Sequence, residues 1–409
     1  MKIEIPEELG EISQVFENPG SDKTIIIMPQ KAMDRYSYEK GIFRTLEYLA
    51  KTYGLKLAMP EGASGKLDVS WFKAFPDNEI KAKVSDDFMK KGEITGLEHL
   101  MITTEYPIEA WGIEDTALWK KSADLLKTAQ PTIGYFLMIT DKIKGHILSL
   151  REKASDPSLE LDQAIQSYNE GMLKINDYFF YLEKKAISVG INLKIEYPDY
   201  FRVLESFKNP WGHVYQMQAR ALIEALSGMT GQSESKKDDT EEEILSPKKA
   251  LSRLAYSEDE TKIIKELRLK LCDNENQSIL ANLYGNIKLL VNLTHMQGTP
   301  YQFSEFKHKR HEFSSEYFQN ALSKYEVRLT EEDIETLDTF VPIMERFYEL
   351  AKQRQIHDVN KAIEYMENTG NNLGVMLIMG FNTRGIMDVL EQKAIAYYVI
   401  MVNEVKFNE

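Results

Sequence analysis

The chain has little cysteine and no long apolar run. Cys272 is the only cysteine among 409 residues, so neither an intramolecular disulfide nor a cluster of thiolate metal ligands can form. No segment reaches the run of about 18 apolar residues that a membrane-spanning helix needs. The first residues also lack the basic-then-apolar form of a signal peptide. These absences predict a cytoplasmic protein that does not insert into a membrane.

Familiar catalytic motifs are missing as well. The sequence contains no His-Glu-x-x-His, no P-loop and no Gly-x-Ser-x-Gly elbow. Among the seven histidines only His308 and His311 have helical spacing, and the cations Lys307, Lys309 and Arg310 beside them oppose metal binding. The sequence therefore predicts no metal site and identifies no cofactor.

The charge balance is acidic. The formal net charge is −14 and the pI is about 5.2, which makes the chain a poor general binder of nucleic acid or of an anionic membrane. The dense basic run at 307–313 is more typical of a solvated helix face than of a nucleic-acid site. We expect a small molecule or a protein as partner, and aromatic-rich helical faces leave a homodimer open.

Strand and helix signals alternate near both ends of the chain. Short apolar runs predict strands at 23–30, 55–62, 108–115, 371–382 and 394–402. Between 118 and 367 the apolar spacing is almost entirely three-and-four, which is typical of helices. The pattern predicts an α/β fold with a mostly parallel sheet built from both chain ends and a large all-helical insertion.

These boundaries suggest two domains. Residues 1–120 and 353–409 would form a discontinuous α/β core domain, and residues 121–352 a helical insertion with a flexible acidic loop at 231–247. Asp156 and Pro157 predict one helix start. Thr330 and Asp333 predict another through a capping box.

Polar residues follow the predicted strands at their carboxyl ends, where ligands bind in open parallel sheets. They are Gln30 and the loop to Arg35 after the first strand, Glu61 and Gly62 after the second, Glu114 and Asp115 after the third, and Asn382, Thr383 and Arg384 after the strand near the C-terminus. Their recurrence predicts a site. Taken singly, each has a structural explanation: Glu61 and Gly62 as a turn, Glu114 and Asp115 as helix caps, and Asn382, placed at an exposed loop tip, as an Asx-turn.

The motifs "EGASG", "GIEDTALW" and "GFNTRGI" resemble an uncharacterised bacterial branch of the Tiki/TraB/ChaN/erythromycin-esterase superfamily. The resemblance covers residues 3–120 and 353–406. It implies an α/β sheet whose site combines a first-strand histidine, a Glu-Gly pair and a C-terminal histidine. The Glu-Gly pair corresponds to Glu61 and Gly62, the branch's "GVED" to 112–115, and its "GGFHT" to 379–383.

Both expected histidines are replaced. Asn382 stands at the C-terminal histidine position, and residues 29–35 contain no histidine. Asparagine is a weak oxygen ligand and exchanges no proton near pH 7, so a transition-metal centre should be severely weakened. A histidine such as His213 or His357 could restore the site if it folded over it.

Three functions are compatible with this pattern. The first is a degenerate, non-catalytic binding or scaffolding protein. The second is a hydrolase of an ester or peptide-like bond, with Glu61 as general base, Glu114 or Asp115 orienting water or an ion, and Arg35 or Arg384 binding an anionic group. The third is haem or iron binding, with an axial ligand from the set Tyr36, Tyr38 and Met379.

Overall fold

A computed structural model of the protein describes residues 2–30, 35–209, 250–251, 254 and 257–406. The predicted loop at 231–247 and His213 lie outside these residues. The strands are β1 (Gly10–Phe16), β2 (Thr24–Gln30), β3 (Leu57–Pro60), β4 (Ser64–Lys66), β5 (Glu109–Ile113), β6 (Leu373–Met379) and β7 (Ala396–Val402).

The helices near the strands are α1 (Arg35–Tyr53), α2 (Ser70–Lys73), α3 (Asn78–Lys90), α4 (Gly96–Thr103), α5 (Thr116–Lys153), α14 (Glu331–Thr369) and α15 (Thr383–Gln392). Between α5 and α14 the described helices are α6 (Leu159–Asn169), α7 (Ile175–Ser188), α8 (Leu193–Glu196), α9 (Pro198–Lys208), α10 (Asp259–Lys270), α11 (Glu275–Thr294), α12 (Pro300–His308) and α13 (Ser315–Ser323). Short 3₁₀ helices lie at Arg310–Phe313 and Gly380–Asn382.

Within the described residues the strands form one seven-stranded sheet of order β1-β7-β2-β6-β3-β5-β4. Neighbours from β7 to β5 run parallel, and only the edge strands β1 and β4 are antiparallel to their neighbours. Strands β2 and β6 are almost fully buried, which is why they read as continuous apolar runs rather than alternating ones. The predicted α/β fold with a mostly parallel sheet is confirmed.

The chain divides into two compact units. The first comprises Met1–Tyr135, Leu293–Phe303 and Thr336–Glu409, and the second Phe136–Asn292 and Ser304–Glu335. In the first unit, α1 and α4 pack over one face of the sheet, where Ile42, Leu46 and Leu100 are fully buried. The second unit has its own helical core, which includes Phe179, Leu182 and Leu204.

Two helix starts were predicted, and one of them is wrong. Thr330 and Asp333 exchange backbone-to-side-chain hydrogen bonds of 2.8 and 3.2 Å, as a capping box requires. Asp156, however, does not cap α6, which begins at Leu159. Its carboxylate instead accepts a 2.6 Å hydrogen bond from Nε of the fully buried Arg151, so the charge pairs with a cation in the last turn of the preceding helix α5.

Candidate functional site

The strand order explains why polar residues converge. Strand β6 lies between β2 and β3, and β5 follows β3. Gln30 pairs with Met379 at the end of β2, and Pro60 pairs with Leu377. Because these strands are parallel, the residues that follow them emerge at one edge of the sheet. All residues described below belong to the first unit.

Glu61 is held firmly at this edge. Its backbone N–H donates to the carbonyl of Leu377 at 2.9 Å, which extends the β3–β6 pairing by one residue. Gly62 follows with a φ of +84°, a left-handed conformation that suits glycine and turns the chain towards β4. The side chain of Glu61 is only 2% exposed, so the turn directs a carboxylate into the protein interior.

Arg354 of α14 bridges the two predicted glutamates. Its Nε donates to Glu114 Oε1 at 3.0 Å, and its Nη2 donates to Glu114 Oε2 at 2.7 Å and to Glu61 Oε1 at 3.1 Å. The Glu114 carboxylate therefore receives a bidentate contact, the strongest geometry for this pair of groups. One guanidinium neutralises part of the charge of two buried carboxylates.

Two further hydrogen bonds reach Glu61, so that three of its four lone pairs are used. Oε1 accepts a 2.6 Å hydrogen bond from Asn382 Nδ2, and Oε2 accepts a 2.8 Å bond from the backbone N–H of Met379. Burial raises the pKa of Glu61, while the Met379 N–H, Arg354 and Asn382 act in the opposite direction. These hydrogen bonds are directed at the charged form and leave one lone pair of Oε2 as the position that a general base would use.

Asn382 is not at an exposed tip, as its sequence position predicted. It is 3% exposed, and its side-chain oxygen accepts a 3.1 Å hydrogen bond from Gln355 Nε2. Its amide makes no capping bond to α15, so the Asx-turn alternative is wrong. Instead, the amide joins Glu61 to Gln355 of α14. An asparagine suits this position because it donates and accepts at once.

Asp358 completes the cluster from α14. It is 1% exposed, and neither carboxylate oxygen has a hydrogen-bond partner among the described residues. Burial, together with the nearby charges of Glu61 and Glu114, raises the pKa of Asp358 to about 8 despite the opposing effect of Arg354. With a pKa of about 8, the Asp358 carboxyl group keeps its proton at neutral pH.

Asp115 has a different position. Its Oδ1 accepts hydrogen bonds of 2.8 and 3.0 Å from the backbone N–H groups of Ala117 and Leu118, so it caps the first turn of α5. Its other oxygen lies 3.8 Å from Nδ1 of His357, and both side chains are about 30% exposed. The capping alternative therefore accounts for Asp115, and His357 comes near it at the rim of the site.

The other predicted residues are dispersed. Gln30 ends β2 and is half-buried, and Thr383 is fully buried without a partner for its hydroxyl among the described residues. Arg384 Nη2 pairs with Asp388 Oδ1 of its own helix at 3.1 Å. Arg35 begins α1, and its side chain lies outside the described part of the structure.

Arg354, Gln355 and Asp358 are the site residues that the sequence reasoning missed. A signal for them exists in α14. Ala351, Val359, Ala362 and Met366 are buried at helical spacing, and Gln355 and Asp358 interrupt this apolar stripe with polar groups. Polar residues at core positions of a helix point to a buried polar cluster.

These residues fit a transition metal poorly. Arg354 already holds the oxygens of Glu61 and Glu114 that would bind a cation, and asparagine replaces the expected imidazole. Across the described ranges, no group of three His, Cys, Asp or Glu side chains is arranged to hold a metal ion. For haem, the hydroxyls of Tyr36 and Tyr38 already donate to Asp86 and to the Pro29 carbonyl, while Met379 is half exposed.

No protein-family model, curated protein or solved structure matches the chain. The fold and the cluster define it as an α/β protein with a buried carboxylate–guanidinium site at the carboxyl edge of its sheet. In the described residues, no helix is both long enough and apolar enough to cross a bilayer.

Proposed function

We propose that the chain is a degenerate, non-catalytic member of the Tiki/erythromycin-esterase-like superfamily that acts as a binding or scaffolding protein. In this proposal residues 121–352 are a helical insertion that carries partner contacts. The superfamily assignment rests on the three sequence motifs. The lack of catalysis rests mainly on Arg354, whose guanidinium lies between Glu61 and Glu114.

The Glu61 carboxylate is poorly accessible to a substrate. A general base needs an unoccupied lone pair that faces the substrate, yet three of the four lone pairs of Glu61 accept hydrogen bonds from Arg354, Asn382 and the Met379 N–H, and the side chain is only 2% exposed. A metal ion would have to displace a guanidinium that makes three charge-assisted bonds. The arrangement thus fixes the carboxylates of Glu61 and Glu114 in a structural network.

Metal analysis of the purified full chain tests this proposal. We expect no stoichiometric zinc, manganese or iron, and no stabilisation of the wild-type protein against heat by added Mn²⁺. Arg354→Ala removes the internal cation and should make the protein responsive to Mn²⁺, because it frees the oxygens of Glu61 and Glu114. Arg346→Ala is the matched control, since Arg346 lies on the same helix and pairs at the surface with Glu349.

Metal near one equivalent per wild-type chain, lost in the double variant Glu61→Ala with Asn382→Ala, would overturn the proposal. So would turnover of ester or peptide substrates that disappears in Glu61→Gln.

A second candidate function, carboxylate-assisted hydrolysis, is favoured by Asp358. A buried carboxylic acid that remains protonated near neutral pH beside an ionisable Glu61 is a suitable proton donor. This function requires that Asp358→Asn and Glu61→Gln each abolish turnover while the surface variant Arg346→Ala retains it.

A further inference from the structure

A second feature of the first unit lies on its surface, between β4 and α4. Five apolar side chains of α2, α3 and their connection are exposed: Trp71, Phe72, Phe75, Ile80 and Val84. We call this set the apolar patch. Trp71 is 87% exposed, and α2 contains no buried residue. Exposed apolar residues are ordinary when they are scattered, but a contiguous set requires an explanation.

The apolar patch spans two helices that one aromatic contact joins. Ile80, Val84 and Phe88 follow one another at four-residue spacing on α3, so they share one helix face. The Phe72 ring of α2 packs edge-to-face on Phe88, with centroids 6.1 Å apart. This contact joins the two helices, and Trp71 stands one position before Phe72.

The charges around the apolar patch are unbalanced. Lys73, Lys81 and Lys83 form no ion pair among the described residues, and Lys91 Nζ lies 5.7 Å from the centre of the Phe88 ring.

The nearby carboxylates are mostly engaged. Asp68 accepts from the Ser70 N–H, and Asp77 caps α3 through two backbone N–H groups. Asp86 holds Lys40 and Lys90. Residues 70–91 contain five lysines and four carboxylates, of which Asp86 and Asp87 are ion-paired. Among the described residues, the lysines without an ion pair therefore outnumber the carboxylates without one by four to two: Lys73, Lys81, Lys83 and Lys91 against Asp77 and Glu79.

We propose that residues 70–91 form a peripheral docking site for an anionic lipid surface. Exposed tryptophan and phenylalanine bordered by lysine are the combination that favours the interface between headgroups and acyl chains. Each aromatic ring inserts there without needing a shaped partner pocket, and each lysine gains from the negative surface potential.

The acidic net charge of the whole chain does not oppose this contact strongly. Charges farther than a Debye length of about 8 Å are screened at physiological salt, so the lysines at the contact dominate once the patch touches the surface. The docking site is also independent of the proposed binding function, because the cluster of Glu61, Glu114 and Arg354 contributes nothing to it.

Sedimentation of the full chain with phosphatidylcholine vesicles, with and without phosphatidylserine, tests the docking site. We expect binding that requires phosphatidylserine and weakens as salt rises. Trp71→Ser should lower the partition coefficient about tenfold, because one large apolar group no longer leaves water. Trp71→Phe should retain most of the binding while losing the quenching of its fluorescence by brominated lipid.

Trp119→Ser is the matched control, because Trp119 is 52% exposed and is followed by two lysines but lies outside the patch. It should bind as the wild type does. Reversal of Lys73, Lys81 and Lys83 to glutamate should abolish the preference for phosphatidylserine. An equal loss of vesicle binding in Trp71→Ser and Trp119→Ser overturns the proposal, and so does the absence of any vesicle binding by the wild type. Binding to polyglutamate but not to vesicles overturns it too, and assigns the patch to an acidic polypeptide.

Discussion

At the scale of single residues, the guanidinium of Arg354 is the cation that pairs with the buried carboxylates of both Glu61 and Glu114. Arg354→Met keeps the length of the side chain but leaves Glu61 and Glu114 buried without a cation. We expect a loss of about 3–5 kcal/mol in the free energy of unfolding, the range seen when one partner of a buried pair is removed. Urea unfolding at neutral pH measures it.

Arg346→Met provides the comparison for this prediction. Arg346 is about half exposed and pairs with Glu349 at 3.3 Å, so its replacement should cost less than about 1 kcal/mol. Similar losses in the two variants would show that the cluster around Arg354 is solvated, contrary to its burial.

Asp358 gives a second residue-scale prediction, with a definite sign. Its pKa is about 8 in the folded protein against an ordinary 3.8. Between these values the unfolded chain has lost the proton and the folded chain retains it, so this group makes the protein less stable as the pH rises. Asp358→Asn is neutral in both states and should therefore stabilise the protein by a few kcal/mol near pH 8.

The measurement is urea unfolding of Asp358→Asn and of the wild type at mildly acidic and mildly alkaline pH. The advantage of the variant should shrink towards pH 4 and disappear below about pH 3.8, where wild-type Asp358 is protonated in both states. A constant difference at every pH would mean that the Asp358 carboxyl titrates normally in the folded protein.

The sequence predicted half of this cluster. Glu61, Glu114 and Asn382 follow apolar strand runs directly, and the end of a parallel strand is a local feature. Arg354 and Asp358 lie inside a long helix. Which face of that helix packs against the sheet depends on tertiary contacts that the local sequence does not contain. Glu61 and Arg354 are separated by about 290 residues along the chain, so no local sequence pattern could predict that they pair.

At the scale of elements, the β4–β5 pairing depends on Gly112. A Cβ placed there would lie 2.1 Å from the backbone carbon of Ala63, and backbone atoms cannot rotate away as a side chain can. Gly112→Ala should separate β4 from β5 and break the 2.9 Å bond from the Glu114 N–H to the Ala63 carbonyl. We expect a loss of about 1–3 kcal/mol in unfolding free energy, as overpacking causes.

Gly134→Ala is the control for the loss of a glycine. Gly134 is helical and has open space around its Cβ position, so alanine should stabilise the protein by up to about 1 kcal/mol. Unfolding free energies of the two variants, measured side by side, check the prediction. A stable Gly112→Ala would mean that β4 moves away from β5 at no cost.

Helices and strands with a clear periodicity of apolar residues could be predicted from the sequence, and strands without one could not. The apolar spacing of 38–54 is typical of a helix, and α1 ends at Tyr53 directly before Gly54. Gly54 has a φ of +66°, as a C-terminal glycine cap requires. Strand β1 was not predicted, because a register shift between Ile12 and Gln14 interrupts the alternation of inward and outward side chains. Strand β4 is only three residues long, too short to show a period.

At the scale of the whole molecule, the balance of shifted pKa values predicts where the protein is most stable. Burial lowers the pKa of His99 to about 4 against an ordinary 6.5; Lys40 lowers it further, and Asp86 raises it. Between these values the unfolded histidine is charged and the folded one is neutral, so stability rises with pH. Asp358 has the opposite slope from about 4 to 8, and the raised pKa values of Glu61, Glu260 and Asp388 reinforce it.

The rise due to His99 and the decline due to Asp358 oppose each other up to about pH 6.5. Above that pH His99 is neutral in both states, and the decline due to Asp358 is no longer opposed by His99. On the acidic side, Asp86 loses stabilisation as the pH falls from 3.8 towards its folded pKa of about 2. We therefore expect the unfolding free energy to be highest between about pH 4 and 6.5 and to fall by pH 8. Urea unfolding across this range measures the profile, and Asp358→Asn should move its maximum towards higher pH. A wild-type profile that still rises from pH 6 to pH 8 would exclude a protonated Asp358, and with it the proton donor that the hydrolase alternative requires.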